Sequence, residues 1–153
     1  MMDNKVKKLK PVDAAYIAAL IDGEGTVTLM RAHKDEYRQV HVSINNSDKK
    51  MLEWVLTTVG AGKIVPKKVY SDKHTQTFTY RIVAQKAFPL LEQIFPYLHT
   101  YKKERAKLIL KYADKLTVRN GKYSKELLKK KIEFIKRFFK LNPTKISRLL
   151  DFI

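Results

Sequence analysis

Between Val12 and Asp22 the apolar side chains fall at helical spacing, and from Thr26 onward the spacing switches to strict alternation. The first segment predicts a helix, with Asp13 a candidate N-cap. Thr26–His33 and Tyr37–Ile44 are β-branched, alternating runs joined by a polar turn at Lys34–Glu36, which predicts a hairpin. Helical spacing returns at Met51, Leu52, Val55, Leu56 and Val59, a helix that Asn46 or Ser47 can cap and Gly60 ends. A second hairpin is expected over Lys63–Tyr70 and Gln76–Val83, with a polar turn at Ser71–Thr75. A third helix follows over Lys86–Leu98, where Pro89 is tolerable only in the first turn.

The last third reads as helix throughout. Tyr101–Leu116 is followed by a loop holding Arg119-Asn120-Gly121, then by Ser124–Leu141 with Leu127, Leu128, Phe134, Ile135, Phe138 and Phe139 on one side. Asn142-Pro143 has the form of an N-cap and first position for a short terminal helix. The order αββαββα predicts an α+β fold with a curved, antiparallel four-stranded sheet and extra C-terminal helices. We expect one domain over 1–153, with a core at about 12–116 and a basic helical extension at about 117–153.

Composition narrows the partners. The chain has 153 residues, is 44% hydrophobic and carries a net charge of +17. Size and apolar content suffice for one core. Residues 1–100 carry a net +5 and residues 101–153 a net +12, so most of the basicity lies in the last third. A polyanion is the natural partner, although lysine-rich helix faces also serve solubility. There is no cysteine, and His33, His41, His74 and His99 lack the spacing of zinc ligands. Neither a signal-peptide pattern nor a run of the roughly eighteen apolar residues that span a membrane is present, which predicts a soluble, intracellular protein without a membrane partner.

Chemistry concentrates at the end of the first helix. Ile17-Ala18-Ala19-Leu20-Ile21-Asp22-Gly23-Glu24-Gly25 is an apolar run that stops in two acids interleaved with glycines. A helix C-terminus carries partial negative charge on its unpaired carbonyls and favours cations there, so the acids stand where a helix least wants them. In a chain this rich in lysine, that arrangement suggests a cation site kept at some cost in stability. Over these nine positions the segment resembles the LAGLIDADG signature of homing endonucleases. Ile replaces the first Leu, Ala the Gly, Gly the Ala before the last acid and Glu the last Asp, each change conserving size or charge.

The resemblance implies a site-specific endonuclease that hydrolyses phosphodiesters in double-stranded DNA with Mg²⁺, Mn²⁺ and Ca²⁺ being alternative occupants of the site. A single copy of the signature implies a homodimer. Ala15, Ala19 and Gly23, at i, i+4 and i+8, independently offer a face of small residues on which a second helix could pack, as could the subunit's own sheet. Two such helices would bring two Glu24 carboxylates together, each with Asp22 and the Gly23 carbonyl nearby, and close carboxylates need protons or cations between them. Hard oxygen ligands suit Mg²⁺.

By resemblance, Glu24 is the metal ligand, with Gly23 contributing its carbonyl, while Asp22 serves the site and the helix end. Glu in place of the commoner Asp lengthens the arm by one methylene and shifts the ion. Asn46 matches a Gln or Asn that orients water or metal, beside its competing role as a helix cap. Lys102 matches a lysine that follows the third helix and stabilises charge on the phosphate or water, with Lys103 the neighbouring alternative. Lys49 matches a basic position near the scissile phosphate, and equally a solvated surface lysine.

Sequence readout is expected from the polar parity of the strands: Thr26, Thr28 and Met30; Tyr37, Gln39, His41 and Ser43; Lys63 and Lys67; Thr77, Thr79 and Arg81. Arg81 and Gln39 carry donors suited to guanine and adenine. The same alternation also describes the wet side of any antiparallel sheet. An eight-residue strand covers about 27 Å, or about eight base pairs, so a dimer should read a nearly palindromic site of about twenty. Flanking phosphates would be held by the basic C-terminal helices. No small-molecule substrate is implied. The alternative is a non-cleaving nucleic-acid-binding protein on the same fold, an RNA-splicing maturase or a transcriptional regulator.

Overall fold

The computed structural model describes residues 4–31, 33–34, 37–118 and 120–141. The elements are α1 (Pro11–Glu24), β1 (Gly25–Met30), β2 (Gln39–Asn46), α2 (Lys49–Val59), β3 (Lys63–Pro66), β4 (Phe78–Val83), α3 (Ala87–Ile94), α4 (Tyr101–Leu108) and α5 (Lys125–Lys140). The α+β class and the αββαββα order therefore hold, followed by α4 and α5 as the expected C-terminal helices. The terminal helix expected from Asn142-Pro143 lies outside the described residues.

Helix α1 starts one residue earlier and ends two later than its apolar spacing suggests. Lys10 is the N-cap and makes no side-chain cap, Pro11 occupies the first turn, and Asp13 lies within that turn rather than capping it. Proline serves here because the N–H it lacks would have no intrahelical partner. At the other end Gly23 and Glu24 belong to the last turn and Gly25 is the C-cap. Helix α2 is capped by Asp48, whose carboxylate accepts from the Met51 amide at 3.2 Å, in place of the expected Asn46 or Ser47. Gly60 closes that helix in the left-handed region at φ 83°, a conformation that favours glycine.

The sheet runs β1-β2-β4-β3 and is antiparallel throughout. Its strands are shorter at their outer ends than the alternating runs: β1 stops at Met30, β3 at Pro66, and β4 begins at Phe78. Alternation persists beyond hydrogen-bonded pairing because it reports which side of a ribbon is wet. On one face Val27, Val42, Ile44, Tyr80 and Ile82 are buried against Ile17 and Ile21 of α1, Leu52 and Val55 of α2, and Leu90, Leu91 and Ile94 of α3. Each aliphatic side chain buried in this way contributes roughly 1.5–3 kcal/mol. The Tyr80 hydroxyl is taken out of water and donates to the Ala61 carbonyl at 2.7 Å, and burial raises its pKa.

The expected third helix divides into a 3-10 turn at Ala84–Lys86, α3 itself and a second 3-10 turn at Phe95–Tyr97. The expected fourth gives way after Leu108 to a π-helical turn at Ile109–Ala113. Helix α5 buries Phe134, Ile135 and Phe138. Arg105 of α4 joins that packing to the sheet: its guanidinium lies 4.7 Å from the Phe138 ring centroid and donates to the Val27 carbonyl of β1 at 3.0 Å. Among the described residues, no helix is long and apolar enough to cross a membrane.

The turn from α1 into β1 leaves no room for a side chain at Gly25, where a Cβ would lie 2.6 Å from the Ile21 Cα and 2.7 Å from the Ser43 carbonyl oxygen. Both neighbours are backbone, so relief requires α1 to move off β2. Gly25→Ala is expected to destabilise the protein by roughly 1–3 kcal/mol, read as a lowered urea midpoint. An unchanged midpoint would show that the helix and sheet are not held at this spacing.

Candidate active site

The end of α1 is bound to the start of α4 by two reciprocal contacts. Lys102 is 8% exposed, and its ammonium donates to the Ile21 carbonyl at 2.7 Å and the Asp22 carbonyl at 2.8 Å. These are among the carbonyls that a helix C-terminus leaves without intrahelical partners, where a cation is favoured. In return the Asp22 carboxylate accepts from the His99 amide at 2.7 Å, the Thr100 amide at 3.3 Å and the Thr100 hydroxyl at 2.5 Å. Thr100 is itself the N-cap of α4, accepting from the Lys102 amide. An anion thus sits at the amino end of α4 and a cation at the carboxyl end of α1.

The titration of both groups follows. For Asp22, burial is the largest influence and opposes ionisation, but the Thr100 hydroxyl, the two amides and the Lys102 charge together outweigh it, and the carboxyl lies below its ordinary value. For Lys102, burial pulls the pKa down, the Asp22 charge pushes it up and Arg105 pulls it down again, leaving a net lowering.

With Asp22 committed to α4, the acid left at the exposed tip is Glu24. Its Oε2 accepts a hydrogen bond from Nδ2 of Asn46, at the end of β2. Asn46 Oδ1 accepts from the Asp48 amide at 2.7 Å. A carboxylate only accepts and an amide N–H only donates, so a single orientation of the Asn46 amide satisfies both contacts. Asn46 therefore orients Glu24 while supporting the turn into α2, which corrects the expectation that it caps that helix directly. Lys49, in the first turn of α2, pairs with Glu53 at 3.9 Å and lies 5.5 Å from the Phe78 ring centroid. Both partners of that pair are more than half exposed, so the lysine is free to turn to another anion.

Among the described residues, no group of three or more acidic or histidine side chains converges within one subunit. Glu24 supplies one partly engaged carboxylate, with the Gly23 carbonyl the neighbouring oxygen expected beside it. Such a donor set is too sparse for a closed cage and fits Mg²⁺, which keeps water and takes phosphate oxygens beside one or two carboxylates.

The polar face of the sheet is continuous with this tip. Strand pairing aligns Thr26, Ser43, Arg81 and Lys63 in one row across all four strands, Thr28, His41 and Val83 in the next, and Met30 and Gln39 beyond. The sequence parities thus place Thr26, Thr28, Met30, Gln39, His41, Lys63, Thr79 and Arg81 together. Lys67 and Thr77 lie just past the strand ends, joined by an amide-to-carbonyl bond of 2.8 Å. Ser43 departs from the expectation of an exposed reader: it is 6% exposed, because Thr26 and Arg81 flank it in the row. Tyr37 departs as well, lying outside β2 with its ring 4.4 Å from that of Tyr123. Burial, and then the Arg81 charge, hold the His41 pKa below its ordinary value.

Asn45, Val65 and Val83 also belong to this face, and sequence reasoning did not pick them out. Asn45 accepts from the Thr79 hydroxyl at 2.5 Å and directly precedes Asn46, the residue that holds Glu24. Its parity with Gln39 and His41 was available, but the alternating run had been ended at Ile44, two residues short of the strand.

On α1, Ala14, Ile17, Ala18 and Ile21 face the subunit's own core, whereas Ala19 and Gly23 are exposed and Ala15 is half-buried. A Cβ added at Gly23 meets nothing within 4 Å. Among the described residues, then, Ala19 and Gly23 of the small-residue face stay exposed, and Ala15 is partly covered.

No protein-family model and no curated protein matches the chain. Solved structures do. The chain is similar to the homing endonuclease I-CvuI, solved with a DNA target in the presence of Mg (TM-score 0.69, 20% identity, 88% of this chain and 85% of that one). It is also similar to the archaeal intron-encoded homing endonuclease I-Vdi141I in complex with DNA (TM-score 0.68, 17% identity, covering 92% and 94%). The LAGLIDADG meganuclease I-AabMI, bound to uncleaved DNA, matches over 91% of this chain but only 48% of its own length (TM-score 0.59, 24% identity). The fold is that of the LAGLIDADG homing endonucleases.

Because the folded-state pKa of Asp22 is depressed, the stability it contributes is present above its ordinary value of 3.8 and is lost as pH falls through the lower folded value. Asp22→Ala is expected to cost about 1–2 kcal/mol at pH 7, with the gap from the parent narrowing below pH 3.8. Urea unfolding at pH 7 and pH 3 measures both, and an equal gap at the two would exclude the capping role.

Proposed function

We propose that the protein is a homodimeric, divalent-metal-dependent, site-specific DNA endonuclease. The observation that carries this reading is the division of labour at the tip of α1. Asp22 and Lys102 neutralise each other's helix ends, and Glu24 is left exposed, oriented by Asn46 and adjacent to a polar sheet face that ends in Arg81 and Lys63. A carboxylate kept apart from the structural contacts around it is available for a hard cation and a phosphate.

A second subunit completes the donor set. Packing the open Ala15, Ala19 and Gly23 faces across a twofold axis brings two Glu24 side chains to one place, and their mutual repulsion is relieved by cations. Mg²⁺ bound there supplies Lewis acidity to the scissile phosphate and favours ionisation of the attacking water, the logic of paired metal sites. Within each subunit Glu24 would hold the ion, and Asn46 holds Glu24. Lys102 spends two of its three ammonium protons on α1; the third remains for a water or phosphate oxygen, and its charge stabilises the anionic transition state from behind the carbonyls. Lys49 contributes positive charge beside Asn46. Asp22 acts as a positioning residue and touches no reacting atom in this scheme.

The sheet face lies along the major groove, with Thr26, Thr28, Gln39, His41, Thr79 and Arg81 reading base edges. Lys67 and the basic α5 meet phosphates, which gives affinity and a steep salt dependence rather than specificity.

Cleavage of a random-sequence DNA library in the presence of Mg²⁺ tests the activity. The parent chain should yield one class of long, nearly palindromic site, and Glu24→Gln should abolish cutting while DNA binding and dimerisation persist. Undiminished cutting by that variant would remove Glu24 from the site, and metal-independent binding of RNA or DNA without cutting would favour the maturase or regulator. Arg81→Ala is expected to lower affinity by about 1–3 kcal/mol and to relax selection at one position per half-site, measured by competition binding of the same library.

A further inference from the structure

Helix α4 holds the junction of α1 and β1 at two points. Lys102 and Arg105 stand at i and i+3 on one side of α4, and both are buried. Lys102 holds the Ile21 and Asp22 carbonyls on the near side of Glu24, and Arg105 holds the Val27 carbonyl on the far side. The segment from Asp22 to Val27, with Glu24 and Gly25 inside it, is thus fastened at both ends to one helix face. Strand β1 is an edge of the sheet, where backbone groups on the outer side lack a strand partner. Arg38 serves a second of its carbonyls, donating to Leu29 at 3.1 Å. Both guanidiniums are backed by α5: the Phe139 ring centroid lies 5.6 Å from that of Arg105 and 5.4 Å from that of Arg38. Tyr101 of α4 adds a ring 5.2 Å from Arg105.

We propose that Arg105 is a positioning residue for Glu24, and that α5 acts on the tip of α1 through it, apart from any contact α5 makes with phosphate. The inference rests on the endonuclease reading above and adds to it what sets the carboxylate in place. The choice of side chain favours placement over plain stability. A buried arginine that makes this backbone hydrogen bond, while its Nε finds no partner among the described residues, costs more than an apolar side chain of similar length. Either would pack on Phe138 and Tyr101. Only the guanidinium adds a directional donor to β1 while its planar faces lie against rings. Asn46 orients the Glu24 side chain, and Arg105 fixes the backbone that carries it. Misplacing a reacting group by about 1 Å costs about a hundredfold in rate, so a tie that stabilises little can still matter greatly for cutting.

The test compares the full chain with Arg105→Met, which keeps the length and apolar packing, and with Arg105→Lys, which keeps a donor. Amide hydrogen exchange is read without metal or DNA, and single-turnover cleavage of the selected target is read with Mg²⁺ at saturating enzyme. In Arg105→Met, exchange should speed up several-fold at the Gly25, Thr26 and Val27 amides and stay as in the parent in α2 and α3, with the urea midpoint near the parent's. Its cleavage rate should fall about ten- to a hundredfold while DNA affinity changes little, and Arg105→Lys should recover part of both losses. Phe139→Leu, which removes the ring behind both arginines at a distance from the tip, should move exchange and rate in the same direction, and it carries the test should Arg105→Met not fold. Unchanged exchange at the junction, or an unchanged rate, overturns the inference. Faster exchange throughout the molecule with a lowered midpoint also overturns it, since Arg105 would then be merely stabilising. A parent chain that cuts no DNA removes the endonuclease reading instead, and exchange at the junction then decides alone whether Arg105 sets the tip.

Discussion

Two helices that approach at right places in the sequence for opposite reasons settle the chemistry of this fold. The carboxyl end of α1 exposes carbonyls that want a cation, and the amino end of α4 exposes amides that want an anion. Lys102 and Asp22 meet both demands at once: the lysine on the carbonyls of Ile21 and Asp22, the aspartate on the amides of His99 and Thr100. Each charge is costly to bury alone, and each stands where the other's helix dipole and formal charge offset that cost. The clasp fixes where α1 ends. One residue later Gly25 lets the chain pass within contact of the Ser43 carbonyl, and β1 joins the sheet.

That clasp accounts for the apparent conflict in the sequence. Two acids at a helix C-terminus look like uncompensated strain when only local residues are weighed, because no basic residue lies in the last turn. The compensating cation comes from 80 residues away. With one acid thereby committed to structure, the other is exposed and held by an amide whose remaining oxygen is bound to the Asp48 backbone. The structural contact and the exposed carboxylate are thus divided between neighbours two positions apart.

Much of this was legible beforehand, and the limits have physical causes. The signature, the αββαββα order, the glycine end of α2 and the shared parity of Thr28, His41 and Arg81 all depend on local periodicity or on residue types with special backbone freedom, and the structure reproduces them. The roles of Asp22 and Lys102 depend on tertiary contacts that no local pattern encodes. Asn46 was expected to cap α2 or to orient water or metal; Asp48 is the cap and Asn46 holds Glu24, since capping is decided by the backbone geometry of one residue among several competent ones. Ser43 was misread as exposed because alternation assigns a side and says nothing of how far the flanking Thr26 and Arg81 cover it. Tyr37 carried the correct parity but lies beyond the strand, against Tyr123, a contact with the C-terminal extension that spacing in the hairpin cannot reveal.

Among the described residues a single subunit lacks two things: a group of three or more acidic or histidine side chains around Glu24, and a cover for the outer face of α1, where Val12, Tyr16, Ala19 and Gly23 are exposed. The two deficits lie on one element, with the acid at the last turn of α1 and the uncovered face running up to it. In the proposed dimer, burying that face against its own image would bring the acids together, so the removal of apolar surface from water would supply the work needed to juxtapose like charges. The match to I-AabMI covers 91% of this chain and 48% of that one, so this fold accounts for about half of that protein. A helix that is apolar on both sides and tipped with an exposed acid is the feature on which the proposed pairing rests.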